Sequence, residues 1–128
     1  MYSELLVSIL LAANLAAPAR EKIDTSITGM YSNLELNDEG GDLLGMEVYL
    51  VSGTGEYFAV VQCAGGVPGR PVITSVQASG ATISFKLPEG QPECGTSFTG
   101  TISKKGLRGR FLGEEGDRWL PRGKGYWE

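Results

Sequence analysis

The sequence predicts a small antiparallel all-β fold, an up-and-down barrel of about eight strands, and three observations carry that prediction. The first is the stretch 97–112, SFTGTISKKGLRGRFL, which reads outward from its middle as a near-palindrome. Ile102 faces Leu107, Gly100 faces Gly109 and Phe98 faces Phe111, with Ser103-Lys104-Lys105-Gly106 as the turn. Side chains alternate faces along a strand, so one face carries Phe, Gly, Ile and Leu, and the other Thr99, Thr101, Arg108 and Arg110. Such a hairpin needs further strands to cover its dry face. The second observation is that all 19 glycines follow residue 28, and they punctuate short β-branched and aromatic runs at even spacing. The third is the absence of a helical period after the first twenty residues.

The elements follow in order. Leu5 to Ala17 (LLVSILLAANLAA), closed by Ala17-Pro18-Ala19, has the short apolar core and Ala-x-Ala ending of a secretory signal peptide. Residues 1–19 are therefore expected to be a cleaved signal segment and residues 20–128 a single barrel domain in the periplasm or secreted. After a polar lead, Ile27 to Leu34 reads as a first strand and Asn37 to Asp42 as an acidic turn. Met46–Val51 and Tyr57–Val61 form an apolar hairpin about Ser52-Gly53-Thr54-Gly55. Cys63 to Pro71 is expected to be a connecting loop, because its prolines and glycines do not sustain a central strand. Val72–Ala78 and Thr82–Leu87 make the next hairpin around Ser79-Gly80. Pro88 to Gly95 is a loop, Gly113 to Asp117 a turn, and Trp119-Leu120 begins a last strand. Short loops pair neighbours in order, which favours a barrel over a sandwich. Glycines facing inward at 100 and 109 suit a tightly curved wall.

The chemistry is constrained mainly by what is missing. The chain has no His, so the commonest general base and metal ligand are lacking. Two acidic clusters, Asp38/Glu39/Asp42 and Glu114/Glu115/Asp117, lie in Gly-rich turns, where solubility and turn formation explain them better than catalysis or calcium binding. The expectation is a protein that is not an enzyme and holds no cofactor or metal. The net charge of −4 argues against a nucleic-acid binder, and neither membrane insertion of the mature chain nor assembly beyond a monomer is expected. The only two cysteines, Cys63 and Cys94, read as a disulfide in an exported protein, worth ~3.5–4 kcal/mol in the chain-entropy model. The C-terminal tail mixes aromatics with cations, a composition enriched at binding hot spots. It reads either as a plug for one end of the barrel or as a recognition surface. The candidate binding residues there are Arg118, Trp119, Arg122, Tyr126 and Trp127.

Gly29-Met30-Tyr31, Phe98-Thr99-Gly100-Thr101-Ile102 and Leu107-Arg108-Gly109-Arg110-Phe111 together resemble a reduced calycin barrel of the lipocalin and avidin type. The first is similar to the G-x-W that opens those barrels, with Tyr in place of Trp, and the others to their Gly-containing meander strands. The resemblance implies a basic residue near the last strand, Arg118 or Arg122, packed over Tyr31, and a ligand in the barrel mouth, which adds Tyr31 to the candidate binding residues. The chain is also similar to small exported bacterial proteins. The expected function is an exported binding protein taking a small apolar ligand or an envelope protein. The alternatives are an inhibitor or accessory protein of an envelope enzyme and, with less support, a carboxylate-dependent hydrolase.

Overall fold

Strand pairing follows sequence order almost throughout. A computed structural model describes residues 25–128, so the expected signal segment lies outside the described residues. A 3-10 turn (Thr25–Ile27) leads into β1 (Gly29–Ser32), β2 (Glu35–Asn37), β3 (Asp42–Ser52), β4 (Tyr57–Gly66) and β5 (Val72–Ser79). Then follow β6 (Thr82–Lys86), β7 (Ser97–Ile102), β8 (Gly106–Phe111) and β9 (Arg118–Pro121). All pairings are antiparallel and run β1-β3-β4-β5-β6-β7-β8-β9, with β2 also on β3. An isolated bridge, Tyr31 with Arg122, draws the chain end back to β1 and nearly closes an eight-strand barrel.

The hairpin of β7 and β8 has the register expected from its sequence. Phe98 pairs with Phe111, Gly100 with Gly109 and Ile102 with Leu107. Their shared face is buried, and Thr99, Thr101, Arg108 and Arg110 are exposed. Phe85 of β6 extends this face, so three rings run across three strands. Phe85 and Phe98 are stacked with centroids 4.9 Å apart, and Phe98 meets Phe111 edge-on at 5.1 Å. Gly109 is required here: a Cβ would lie 2.5 Å from the Thr99 carbonyl oxygen and 2.6 Å from Phe98 Cζ.

Two expectations about element boundaries are corrected. The first strand is broken in two at Asn33. The Asn33 side-chain oxygen accepts the Met46 N–H at 2.8 Å, and Gly45, at φ +112°, lets β3 bend past it. A Cβ on Gly45 would sit 2.6 Å from the Asn33 carbonyl oxygen, so only glycine fits the bend. Beyond the break, β2 continues on β3, and Leu34, Leu43 and Ala64 form a small second core. Cys63 is not in a loop either, since β4 runs on to Gly66 against β3. Its pairing with β5 stops at Val61, so residues 62–66 have one strand neighbour, and glycine is tolerated there as at a sheet edge. Pro68 and Pro71 fall outside the strand.

The barrel interior is packed with side chains. Tyr31, Met46, Val48, Leu50, Ile83, Leu107 and Leu120 are fully buried, together with Phe98 and Phe111, and Phe85 is buried beside them. Both ends are covered. At one, Ile27 of the 3-10 turn enters the core and the Tyr31 hydroxyl donates to its carbonyl at 2.6 Å. At the other, the Cys63–Cys94 disulfide ties the 87–96 connection to β4, across a separation of 31 residues. That bond is the one expected from the sequence, and it fits an oxidising compartment.

Candidate binding surface

The six residues singled out by sequence separate into distinct settings. Tyr31 is buried on the inner face of β1, and burial pushes its hydroxyl pKa up while the Arg122 charge opposes the shift. Arg122 lies over the Tyr31 ring at 5.3 Å and donates to the carbonyl oxygens of Ser26, at 2.6 Å, and Thr28, at 2.7 Å. Three otherwise unrelated segments, the 3-10 turn, β1 and the end of β9, are thus joined by one guanidinium. Of the two arginines considered, Arg122 is the one that covers Tyr31.

Arg118 works at the other end of the barrel. Its guanidinium packs 5.1 Å from the Phe111 ring and pairs with Glu114 at 2.9 Å. It also donates to the Glu93 carbonyl oxygen, beside the disulfide. The Arg118 hydrogen bond, helped by the Phe111 N–H, holds the Glu114 carboxyl below its ordinary range, against the opposing effect of partial burial. Asp117 is likewise taken up, at 2.8 Å from Arg110. The acidic turn after β8 is therefore an ion-paired clamp. The other acidic cluster is the tip of the β2–β3 hairpin, where Asn37 accepts the Glu39 N–H at 3.1 Å. Among the described residues, no three carboxylates or thiols converge as a metal-binding group.

Trp119 stands partly exposed on β9 with the Arg108 guanidinium 4.9 Å from its ring centre. Its carbonyl oxygen accepts the Asn33 side-chain amide at 3.2 Å, so Asn33 helps close the seam between β9 and the first strands.

The last residues form a strap, and it plugs neither end of the barrel. Glu47 and Gln62 are paired neighbours on the outer faces of β3 and β4, and the strap crosses the wall over them. The Gly123 N–H donates to the Met30 carbonyl at 3.0 Å, and the Tyr126 N–H to Glu47 Oε2 at 2.7 Å. The Trp127 indole N–H donates to Gln62 Oε1 at 2.7 Å. Ser32 Oγ donates to the same Glu47 oxygen at 2.5 Å, so this carboxylate holds a strand and the strap together. At 6 % exposure, Glu47 is the one buried charged residue among those described. Gly125 makes the approach possible, since a Cβ there would lie 2.9 Å from Glu47 Oε1. The strap leaves two rings outward, Tyr126 and, at 60 % exposure, Trp127, edge to face at 5.0 Å. Tyr49, next along the outer face of β3, is also exposed.

Sequence reasoning missed Glu47, Gln62, Gly125 and Asn33. One signal for Glu47 was available, a lone carboxylate in the most apolar strand, at an outward position between Met46 and Val48. Nothing local announced that the chain end would cover it.

Fold and surface together define a disulfide-bonded antiparallel β-barrel with a filled interior and a C-terminal strap on its outer wall. No protein-family model matches the chain, and no curated protein or solved structure matches it either.

Proposed function

We propose that this protein is an exported, non-enzymatic binding barrel that engages a partner protein of the cell envelope through its outer wall. The contact surface is the strip where Tyr126 and Trp127 cross β3 and β4 beside Tyr49. The observation that carries the reading is the filled interior. With Tyr31, Met46, Phe98 and Phe111 at 0–1 % exposure, the space that a hollow barrel would give to an apolar ligand is taken by its own side chains. The Trp127 ring, fixed by its indole hydrogen bond to Gln62 and packed edge to face on Tyr126, is good hot-spot material, because little side-chain freedom remains to be lost on binding. Export is supported by the disulfide. Kinship with the calycins belongs to the same proposal, supported by the Arg122–Tyr31 packing at the barrel closure. The inhibitor or accessory role for an envelope enzyme is the form of this reading in which the partner is catalytic.

The test is site-specific photocrosslinking. A photoreactive phenylalanine analogue at Trp127, with one at the exposed Leu112 as reference, is irradiated in the host's envelope fraction. The expected result is a discrete adduct from position 127 alone, competed by excess wild-type protein and not by Trp127→Ala. Absence of a competed adduct, or an apolar molecule released from the purified barrel in native mass spectrometry, would overturn the proposal.

A further inference from the structure

A concave site lies on a different wall, and its chemistry is unlike that of the strap. Strand β5 pairs with β4 from Val72 to Val76 and with β6 from Val76 to Ser79, so Val76 is a pivot. Before it, β5 swings away from β6, and the last link between them there is a side chain: Thr74 Oγ1 donates to the Lys86 carbonyl at 2.9 Å. The divergence opens a groove of about 420 Å³, within the size range of small-molecule sites.

The lining is specific in kind. Thr74, Ser75, Ser84, Ser97 and Thr99 contribute hydroxyls and Gln77 an amide, and the groove also adjoins Phe85 and Phe98, whose side chains are buried. Ser84 is paired with Gln77 on one side and Thr99 on the other, and Lys86 with Ser97, so these polar groups are held in register by three strands. Apart from Thr74, whose O–H goes to the Lys86 carbonyl, each hydroxyl or amide can both donate and accept, and matches a ligand whose own groups do the same. The lining also exposes apolar surface, which suits the C–H face of a sugar ring, while a purely apolar ligand would leave the hydroxyls unpaired. Lys86 contributes the only charge in the lining. Its ammonium makes no ion pair among the described residues, in a protein whose net charge is −4.

We propose that this groove binds a polyhydroxylated ligand with one acidic group, such as the acidic sugar of a glycan. The Ser/Thr/Gln lining takes the ligand hydroxyls and Lys86 takes the carboxylate. The site shares no residue with the strap surface and stands or falls independently of it.

The experiment is an amide NMR titration of the oxidised mature barrel with D-glucuronate, D-glucose and acetate, each to about 10 mM, the range of weak sugar binding. Glucuronate is expected to shift the amides of Ser75, Ser84, Lys86, Ser97 and Thr99, glucose the same set more weakly, and acetate almost none. Lys86→Gln, an exposed change that spares the core, should weaken glucuronate about three- to fivefold to the level of glucose, and Lys86→Arg should restore the preference. Four results would each overturn the proposal: no shift with any probe, shifts centred elsewhere, acetate matching glucuronate, or a glucuronate preference that survives Lys86→Gln.

Discussion

Removing the Glu47 carboxylate should release the C-terminal strap while leaving the barrel folded. In Glu47→Ala, the Tyr126 N–H loses its acceptor at 2.7 Å and Ser32 Oγ loses its own at 2.5 Å. A hydrogen bond to a charged acceptor contributes about 1.5–3 kcal/mol. The strap has an escape from that cost: if it undocks, Tyr126 N–H and Ser32 Oγ are both solvated, and only the strap's own docking free energy is lost. That docking also rests on the Gly123 and Trp127 hydrogen bonds, which the substitution leaves in place. Losing about 1.5–3 kcal/mol raises the open population roughly 10- to 150-fold. Limited trypsin digestion reads this directly, because cleavage after Lys124 frees Gly125–Glu128 and requires an undocked strap. The rate of that cleavage should rise by the same factor, and Glu47→Gln, which keeps an uncharged acceptor, should fall between. A cleavage rate in Glu47→Ala within about twofold of wild type would refute the assignment of Glu47 as the strap's anchor.

Four further outcomes are expected. Tyr31→Phe loses the hydroxyl bond to Ile27, about 1 kcal/mol in urea unfolding. Because burial raises the Tyr31 pKa, the unfolded chain ionises first, near the ordinary value of about 10. Wild-type stability therefore falls as pH climbs from there toward the folded value, and the alkaline slope should be shallower in Tyr31→Phe. Glu114 has the opposite sign: its lowered pKa contributes stability above the unfolded value of about 4.3, lost as pH falls through the folded value. Glu114→Gln should thus lower Tm at pH 7 and leave it near wild type in strong acid. Replacing both cysteines by serine should cost ~3.5–4 kcal/mol, read from the urea midpoint, with the 87–96 connection becoming the first site of proteolysis. Gly109→Ala places a methyl against the Thr99 carbonyl and the Phe98 ring and should cost about 1–3 kcal/mol, whereas Gly116→Ala, which meets nothing within 4 Å, should be near neutral.

What the sequence made legible was the part of the fold written in local pattern. The β7–β8 register could be read residue by residue because its paired positions carry like side chains and its faces alternate cleanly. The β5–β6 hairpin was legible for the same reason, its turn sitting at Gly80. The break at Asn33 was not, because it depends on Gly45, twelve positions on, bending β3 toward it. The length of β4 was misread because glycine and proline were weighed as if every strand were central, whereas residues 62–66 lack a β5 neighbour. The candidate site failed in the same way. Aromatic and cationic residues were visible in the tail, but the strap is placed by Glu47 and Gln62, some 65–79 positions earlier.

The same glycines that made the hairpin readable also bear on where this barrel can bind anything. Gly100 and Gly109 face each other on the inner wall, and both leave room for the Phe98 ring to lie over them. With side chains at both positions Phe98 would be driven off that wall, and its stack on Phe85 and edge contact to Phe111 would be lost together. The glycine pair thus lets one ring link three strands across the centre, which is how so narrow a barrel fills itself. A wall curved tightly enough to close around that cluster leaves no interior to share. The binding proposed above is therefore placed on the outer faces: Tyr126 and Trp127 on the strap that Glu47 and Gln62 hold, and hydroxyls around a single lysine on another wall.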